Sequence, residues 1–182
     1  TKKRYDVAWG DWDNDGDLDL AAAGQGGNGT DEVYVNTGGA LALGWQSAAT
    51  TSSSSLAWGD WDNDGDLDLA VGTGDLLGCL FPGAFGANIV YENQGSNLVP
   101  VWTSPNQDCT TDVAWGDWDG DGDLDLAEAN FGAPVRIYEN NSIATSPSTR
   151  LNIAWTAGLT QDSMALAWGD YDDDGDLDLA VA

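Results

Sequence analysis

One stretch of the chain is written four times: Ala8-Trp9-Gly10-Asp11-Trp12-Asp13-Asn14-Asp15-Gly16-Asp17-Leu18-Asp19-Leu20 returns at 57–69, 114–126 and 167–179. The first Asp of each copy falls at 11, 60, 117 and 170, in steps of 49, 57 and 53 residues. A repeat of this period describes an array of similar units, none of which buries its apolar faces alone. That constraint fixes the architecture before any composition is considered.

Each copy reads as strand, loop, strand. Five carboxylates alternate through nine residues: Asp11, Asp13, Asp15, Asp17 and Asp19; Asp60, Asp62, Asp64, Asp66 and Asp68; Asp117, Asp119, Asp121, Asp123 and Asp125; Asp170, Asp172, Asp174, Asp176 and Asp178. Gly16, Gly65, Gly122 and Gly175 follow the third, where a sharp turn needs a residue without a Cβ. This spacing suits a hard cation taking six to eight oxygens, with side chains at positions 1, 3, 5 and 9 converging and position 7 offering its carbonyl. Soft metals would want His or Cys. The chain has no His, and neither Cys lies in a motif. Calcium, about four ions per chain, is the expected cofactor, because magnesium keeps its waters. A solvated Asp-Gly turn explains one such copy, but not four in register.

An EF-hand begins the same way but requires Glu at loop position 12 and flanking helices. Position 12 is Ala22, Val71, Glu128 and Val181, and a short apolar run follows each loop. Those runs are buried strands, too short for helices.

Composition agrees. The net charge is −26, and the motifs hold 21 of the 31 acids. Four Ca²⁺ would leave −18, which still argues against nucleic acid or anionic membrane partners. No run approaches the roughly 18 apolar residues of a membrane helix. No signal peptide is visible, and Thr1 is the start expected of a mature or excerpted product. Extracellular calcium sites bind at about 10⁻⁴ to 10⁻³ M, so a secreted or cell-surface location is expected.

Four short strands per period predict an all-β, propeller-type array of four-stranded antiparallel blades. Blade 1 covers about 6–48, blade 2 about 55–103, blade 3 about 112–156, and half of blade 4 about 164–182, within one repeat array over 1–182. The first strands are expected at Asp6–Trp9, Leu56–Trp58, Val113–Trp115 and Ala165–Trp168. Pro100 marks the fourth strand of blade 2 as an edge. The ten Trp recur at fixed places in the blades and read as blade-to-blade core.

The motif, followed by Val33-Tyr34-Val35-Asn36, Val90-Tyr91-Glu92-Asn93 and Ile137-Tyr138-Glu139-Asn140, resembles the FG-GAP/VCBS-type repeat of integrin α-subunit propellers and many secreted bacterial proteins. The resemblance implies calcium in the loop between strands 1 and 2, and seven or eight blades to a ring. Three and a half blades do not close one. The chain is therefore expected to be part of a larger propeller or assembly, completed by the remainder of its own chain or by further copies of itself.

No Ser-His or Cys-His constellation exists, and the other acids are scattered. The expected function is a non-catalytic, calcium-stabilised extracellular scaffold for adhesion, protein or glycan binding. The alternatives are a structural subunit that polymerises through open blade edges, and the propeller part of a polysaccharide-active enzyme. Arg136 and Arg150 read as surface ion-pair residues. Binding is expected on the face opposite the calcium loops, where connections vary most in length. Cys79 and Cys109 fall in loops on that face at neighbouring blades, and a disulfide between them is expected. Asn28-Gly29-Thr30 and Asn140-Asn141-Ser142 mark Asn28 and Asn140 as candidate glycosylation acceptors.

Overall fold

Each copy of the repeat folds back on itself at its carboxylate loop. In the computed structural model, which describes residues 4–24, 29–48, 52–74, 79, 85–95, 97–141 and 146–182, β1 (Val7–Gly10) pairs antiparallel with β2 (Asp19–Ala22). Trp9 stands opposite Leu20 and Gly10 opposite Asp19. The same register recurs as Trp58–Leu69, Trp115–Leu126 and Trp168–Leu179. Nearly identical sequence has closed four hairpins in the same register.

Blade 1 continues with β3 (Glu32–Asn36) and β4 (Leu41–Gln46), giving the sheet order β1-β2-β3-β4. Blade 2 is β5 (Ser53–Gly59), β6 (Asp68–Thr73), β7 (Ile89–Asn93) and β8 (Leu98–Thr103). Blade 3 is β9 (Cys109–Gly116), β10 (Asp125–Phe131), β11 (Arg136–Asn140) and β12 (Leu151–Thr156). The half blade is β13 (Leu166–Gly169) with β14 (Asp178–Val181). The fold is thus an all-β, propeller-type array of three full blades and the first half of a fourth. The first strands line up, with β1 beside β5, β5 beside β9 and β9 beside β13. Pro100 lies in β8, an outer edge where its missing N–H breaks no ladder.

The second strand of blade 2 is buried on both faces because a blade lies on each side of it. Every residue of β6 is buried. Between blades 1 and 2, Trp12, Val33 and Trp45 pack against Leu69, Val71, Tyr91 and Leu98. Between blades 2 and 3, Trp61, Val90 and Trp102 pack against Val113, Leu126, Tyr138 and Leu151. Trp45 meets Tyr91 edge-on at 5.2 Å between centroids, and Trp102 meets Tyr138 at 5.1 Å. The indoles are also hydrogen-bonded across the joints: Trp45 Nε1 donates to the Leu98 carbonyl and Trp102 Nε1 to that of Leu151, each at 3.1 Å.

Two inner strands begin earlier than their apolar residues suggest. β5 starts at Ser53 and β9 at Cys109, not at Leu56 and Val113. Their Ser and Thr hydroxyls find partners across the array: Ser54 Oγ donates to the Thr110 carbonyl at 2.6 Å, and Thr111 Oγ1 to that of Ser163 at 2.7 Å. A polar run that reads as loop is strand here because its hydroxyls tie neighbouring blades.

Candidate metal centres

The carboxylate loop is shaped by its own side chains before any cation is considered. Position 1 accepts from the amides that follow the turn: Asp11 takes Asp15 N and Gly16 N at 3.1 and 3.0 Å, and Asp60 takes Asp64 N and Gly65 N at 3.0 Å each. Asp170 does the same with Asp174 N and Gly175 N, both at 3.1 Å. Position 6 is Gly at φ 93, 95, 95 and 95°, beyond the reach of most side chains. Position 4 also has positive φ, at Asn14 (58°), Asn63 (59°), Gly120 (74°) and Asp173 (58°). That second left-handed residue is missed by the carboxylate spacing. The signal was present, because Asn, Asn, Gly and Asp are the types that tolerate the conformation.

Position 9 anchors the loop to its blade. Asp19 Oδ2 accepts Trp12 N at 3.0 Å while its Oδ1 accepts Asn36 N at 2.7 Å. Asp68 holds Trp61 N and Asn93 N, and Asp125 holds Trp118 N and Asn140 N, at 2.8 to 3.1 Å. All three carboxylates are fully buried. Asp178 holds Tyr171 N at 2.8 Å and is exposed. Asn36, Asn93 and Asn140, which end the Val/Ile-Tyr-x-Asn tetrapeptide, thus brace the loops. Asn93 Nδ2 reaches the Trp12 carbonyl at 2.9 Å and Asn140 Nδ2 that of Trp61 at 2.7 Å, each one blade back.

These turns gather carboxylates. One oxygen from each of Asp11, Asp13 and Asp15 lies within 4.8 Å of the others, as for Asp60, Asp62 and Asp68, for Asp117, Asp119 and Asp125, and for Asp170, Asp172 and Asp178. The side chains of Asp17, Asp66, Asp123 and Asp176 stand outside the groups, in keeping with a carbonyl role for position 7. Asp66 Oδ1 instead accepts Asn14 Nδ2 from the preceding blade at 2.7 Å. Asp19, Asp64, Asp121 and Asp174 also lie outside the groups.

Crowding is costly without a cation. Burial first, then the neighbouring charges of Asp19 and Asp15, raises the Asp13 carboxyl above its ordinary range. Burial, then Asp64 and Glu92, raises Asp62, and burial raises Asp125. Burial pushes Asp68 up to about 8, against the pull of its two backbone amides. Asp62 Oδ1 and Asp117 Oδ1 are buried and accept no hydrogen bond among the described residues. Buried oxygens of this kind ordinarily have partners. An all-oxygen donor set with such orphaned atoms fits a hard divalent cation, and no His or Cys is present in the groups.

Elsewhere two expectations change. Arg136 is not a surface residue: its side chain is 11% exposed and bonds Glu128 Oε1 and Asp108 Oδ2 at 2.6 Å each. The buried Glu128 demands it. Asn140 is not a free acceptor for a glycan, since its amide nitrogen is buried against the Trp61 and Leu124 carbonyls. Asn28 lies outside the described residues, as does loop 75–84 apart from Cys79. Arg150 is half-buried, with its guanidinium 5.2 Å over the Trp61 ring. Cys79 and Cys109 are joined, with Cα atoms 5.8 Å apart, linking blade 2 to β9.

The blades and their loops define a propeller-type repeat array carrying four carboxylate centres. Residues 5–71, spanning the first blade and the opening hairpin of the second, match the family described as FG-GAP-like repeat. No curated protein matches the chain. Among solved structures the chain is similar in fold to one chain of "Crystal structure of an active polycomb repressive complex 2 in the basal state". The TM-score is 0.53 and the identity 13%, over 91% of this chain and 33% of that one. The chain therefore spans about a third of that relative's length.

Proposed function

We propose that the chain is a non-catalytic repeat scaffold whose four loops each hold a calcium ion, and that it works outside the cell in adhesion or in binding a protein or glycan. The observation that carries the reading is the fourfold convergence of carboxylates, with Asp62 Oδ1 and Asp117 Oδ1 buried and lacking a hydrogen bond among the described residues. Positions 1, 3 and 5 or 9 would hold the ion, in blade 2 Asp60, Asp62 and Asp68. A bound divalent cation supplies positive charge to carboxylates that otherwise repel one another. The chain's own residues do the rest: backbone amides orient positions 1 and 9, and the glycines turn the loop.

An extracellular role is supported by the FG-GAP-type repeat, which is typical of extracellular proteins. Among the described residues no helix is long and apolar enough to cross a membrane. Ligand binding belongs to the face opposite the carboxylate loops, where the connections differ in length between blades. On this reading the array is part of a larger propeller or assembly. Isothermal titration of the metal-stripped chain with calcium tests the central claim. About four sites are expected, falling to about three in Asp117→Ala; no calcium-dependent heat at millimolar calcium would overturn it.

A further inference from the structure

The connection between the third and fourth strands closes alike in each full blade, but in blade 3 it is longer and ends on a cation. Thr37 N donates to the Ala40 carbonyl at 3.0 Å, Gln94 N to that of Asn97 at 2.9 Å, and Asn141 N to that of Arg150 at 2.9 Å. Arg150 therefore stands where Asn97 and Ala40 stand in the other blades, and Leu follows each of them. The short 3₁₀ turn before it (Pro147–Thr149) lies against β8 of blade 2, and the Pro147 carbonyl accepts Arg150 N at 3.2 Å.

The side chain of Arg150 leaves its own blade. Its guanidinium lies over the Trp61 ring, and its Nη1 stands 4.0 Å from Asp62 Oδ2, a carboxylate of the blade 2 group. Trp61 is fully buried, so the ring is a fixed platform for the charge. At that distance the contact is an ion pair and not a hydrogen bond, which leaves the Asp62 oxygen open to a metal. Asp64 and Glu92, which also act on Asp62, are anions. Arg4 and Arg136, the other basic side chains among the described residues, are bound to the buried Glu32 and Glu128. The joint between blades 1 and 2 is built the same way, since Asn93 reaches the Trp12 carbonyl as Asn140 reaches that of Trp61. There the place of Arg150 is held by the uncharged Asn97.

Resting on the calcium reading above, we infer that Arg150 sets the affinity of the blade 2 centre, as a fixed cation supplied by blade 3 that makes this centre hold calcium more weakly than its own carboxylates would. The sign follows from what changes on loading. Arg150 attracts Asp62 whether or not a metal is present, but only the loaded centre sets it against a second cation. For partly exposed charges at this range the effect is about three- to tenfold in affinity. One blade thereby adjusts the calcium response of its neighbour.

The test is a calcium chloride titration of the metal-stripped 182-residue chain, with the Gly16 and Gly65 amides followed by NMR. In Arg150→Gln the Gly65 midpoint should fall to about a third to a tenth of the wild-type calcium concentration, and the Gly16 midpoint should not move. Arg150→Lys, which keeps the charge, should stay within about twofold of the wild type at Gly65. Added salt should narrow the gap between Arg150→Gln and the wild type. The ladder bond at Arg150 uses its backbone carbonyl, so both variants keep it. Lost packing alone would loosen the centre, whereas lost charge tightens it. A Gly65 midpoint that stays or rises in Arg150→Gln, while Gly16 still responds to calcium, overturns the inference and leaves the calcium reading standing. So does Arg150→Lys behaving as Arg150→Gln does. No response of either amide at millimolar calcium overturns both.

Discussion

The second and fourth carboxylate loops differ at only two of their twelve residues from Trp to Leu, Tyr171 for Trp61 and Asp173 for Asn63. Their surroundings could hardly differ more. Asp68 is fully buried, held by Trp61 N and Asn93 N, and pushed up to about 8 by that burial. Asp178 is exposed and holds Tyr171 N, because the half blade has no third strand to bring an Asn. A loop's sequence supplies ligands and turn geometry. Neighbouring strands supply the burial that makes an unneutralised carboxylate expensive. The four centres are therefore alike in chemistry and unlike in energetic weight.

If the loops hold calcium as proposed, removing it is the largest way to expose that difference. With free calcium at about ten times Kd, each site contributes roughly 1.4 kcal/mol, so four contribute about 5 to 6 kcal/mol. At about 2 to 4 °C per kcal/mol for a chain of this size, chelation should lower Tm by about 10 to 20 °C. During a stepwise chelator titration followed by NMR, the Gly175 amide should shift before that of Gly65, since its loop lacks the covering strands. An unchanged melt with chelator contradicts the calcium reading.

The aromatic pair Trp102 and Trp155 repeats the contrast without metal. Trp102 is buried, packs edge-on against Tyr138 and donates to the Leu151 carbonyl, whereas Trp155 occupies the same place in β12 and is 44% exposed. Trp102→Ala should cost about 3 to 5 kcal/mol, and Trp155→Ala less than about 1 kcal/mol. Equal losses in denaturant melts would mean that the outer face of blade 3 is covered in solution.

Asp68→Ala against Asp178→Ala comes next. The first strands two buried backbone amides, at a cost of about 3 kcal/mol; the second exposes one amide to water and should cost under about 1 kcal/mol. Both variants should lose one calcium. Calorimetric titration and melting thus separate ligand loss, common to the pair, from loss of the buried anchor.

How much of this was legible in the sequence follows from where each residue gets its partners. The hairpins and the turn glycines were readable because their partners lie close by in the chain, Gly10 opposite Asp19 and Trp9 opposite Leu20 within one copy of the motif. The blade array was readable because the motif recurs with its Trp in register. Asn93 was visible only as part of a repeated tetrapeptide, since its partners, Asp68 and the Trp12 carbonyl, come from other strands and another blade. The strand extension at Ser53–Ser55 was hidden for the same reason, its hydroxyls being satisfied one blade away. Arg136 looked like a surface charge because nothing local announces that Glu128, eight residues before it, is buried.

The smallest effect is the sharpest comparison. Gly59 and Gly169 occupy the same place in the motif, and neither has the positive φ that would forbid a side chain. A methyl on Gly59 would stand 2.7 Å from Trp115 Cδ1 and 2.9 Å from Leu124 Cδ1, so the indole must shift and its bond to the Ala57 carbonyl must lengthen. Overpacking of this kind costs about 1 to 3 kcal/mol. A methyl on Gly169 meets nothing and removes freedom from the unfolded chain, so Gly169→Ala should be neutral or stabilising by up to about 1 kcal/mol. Melts of the two alanine variants read the difference directly. If Gly169→Ala destabilises as much as Gly59→Ala, then Gly169 is covered in solution.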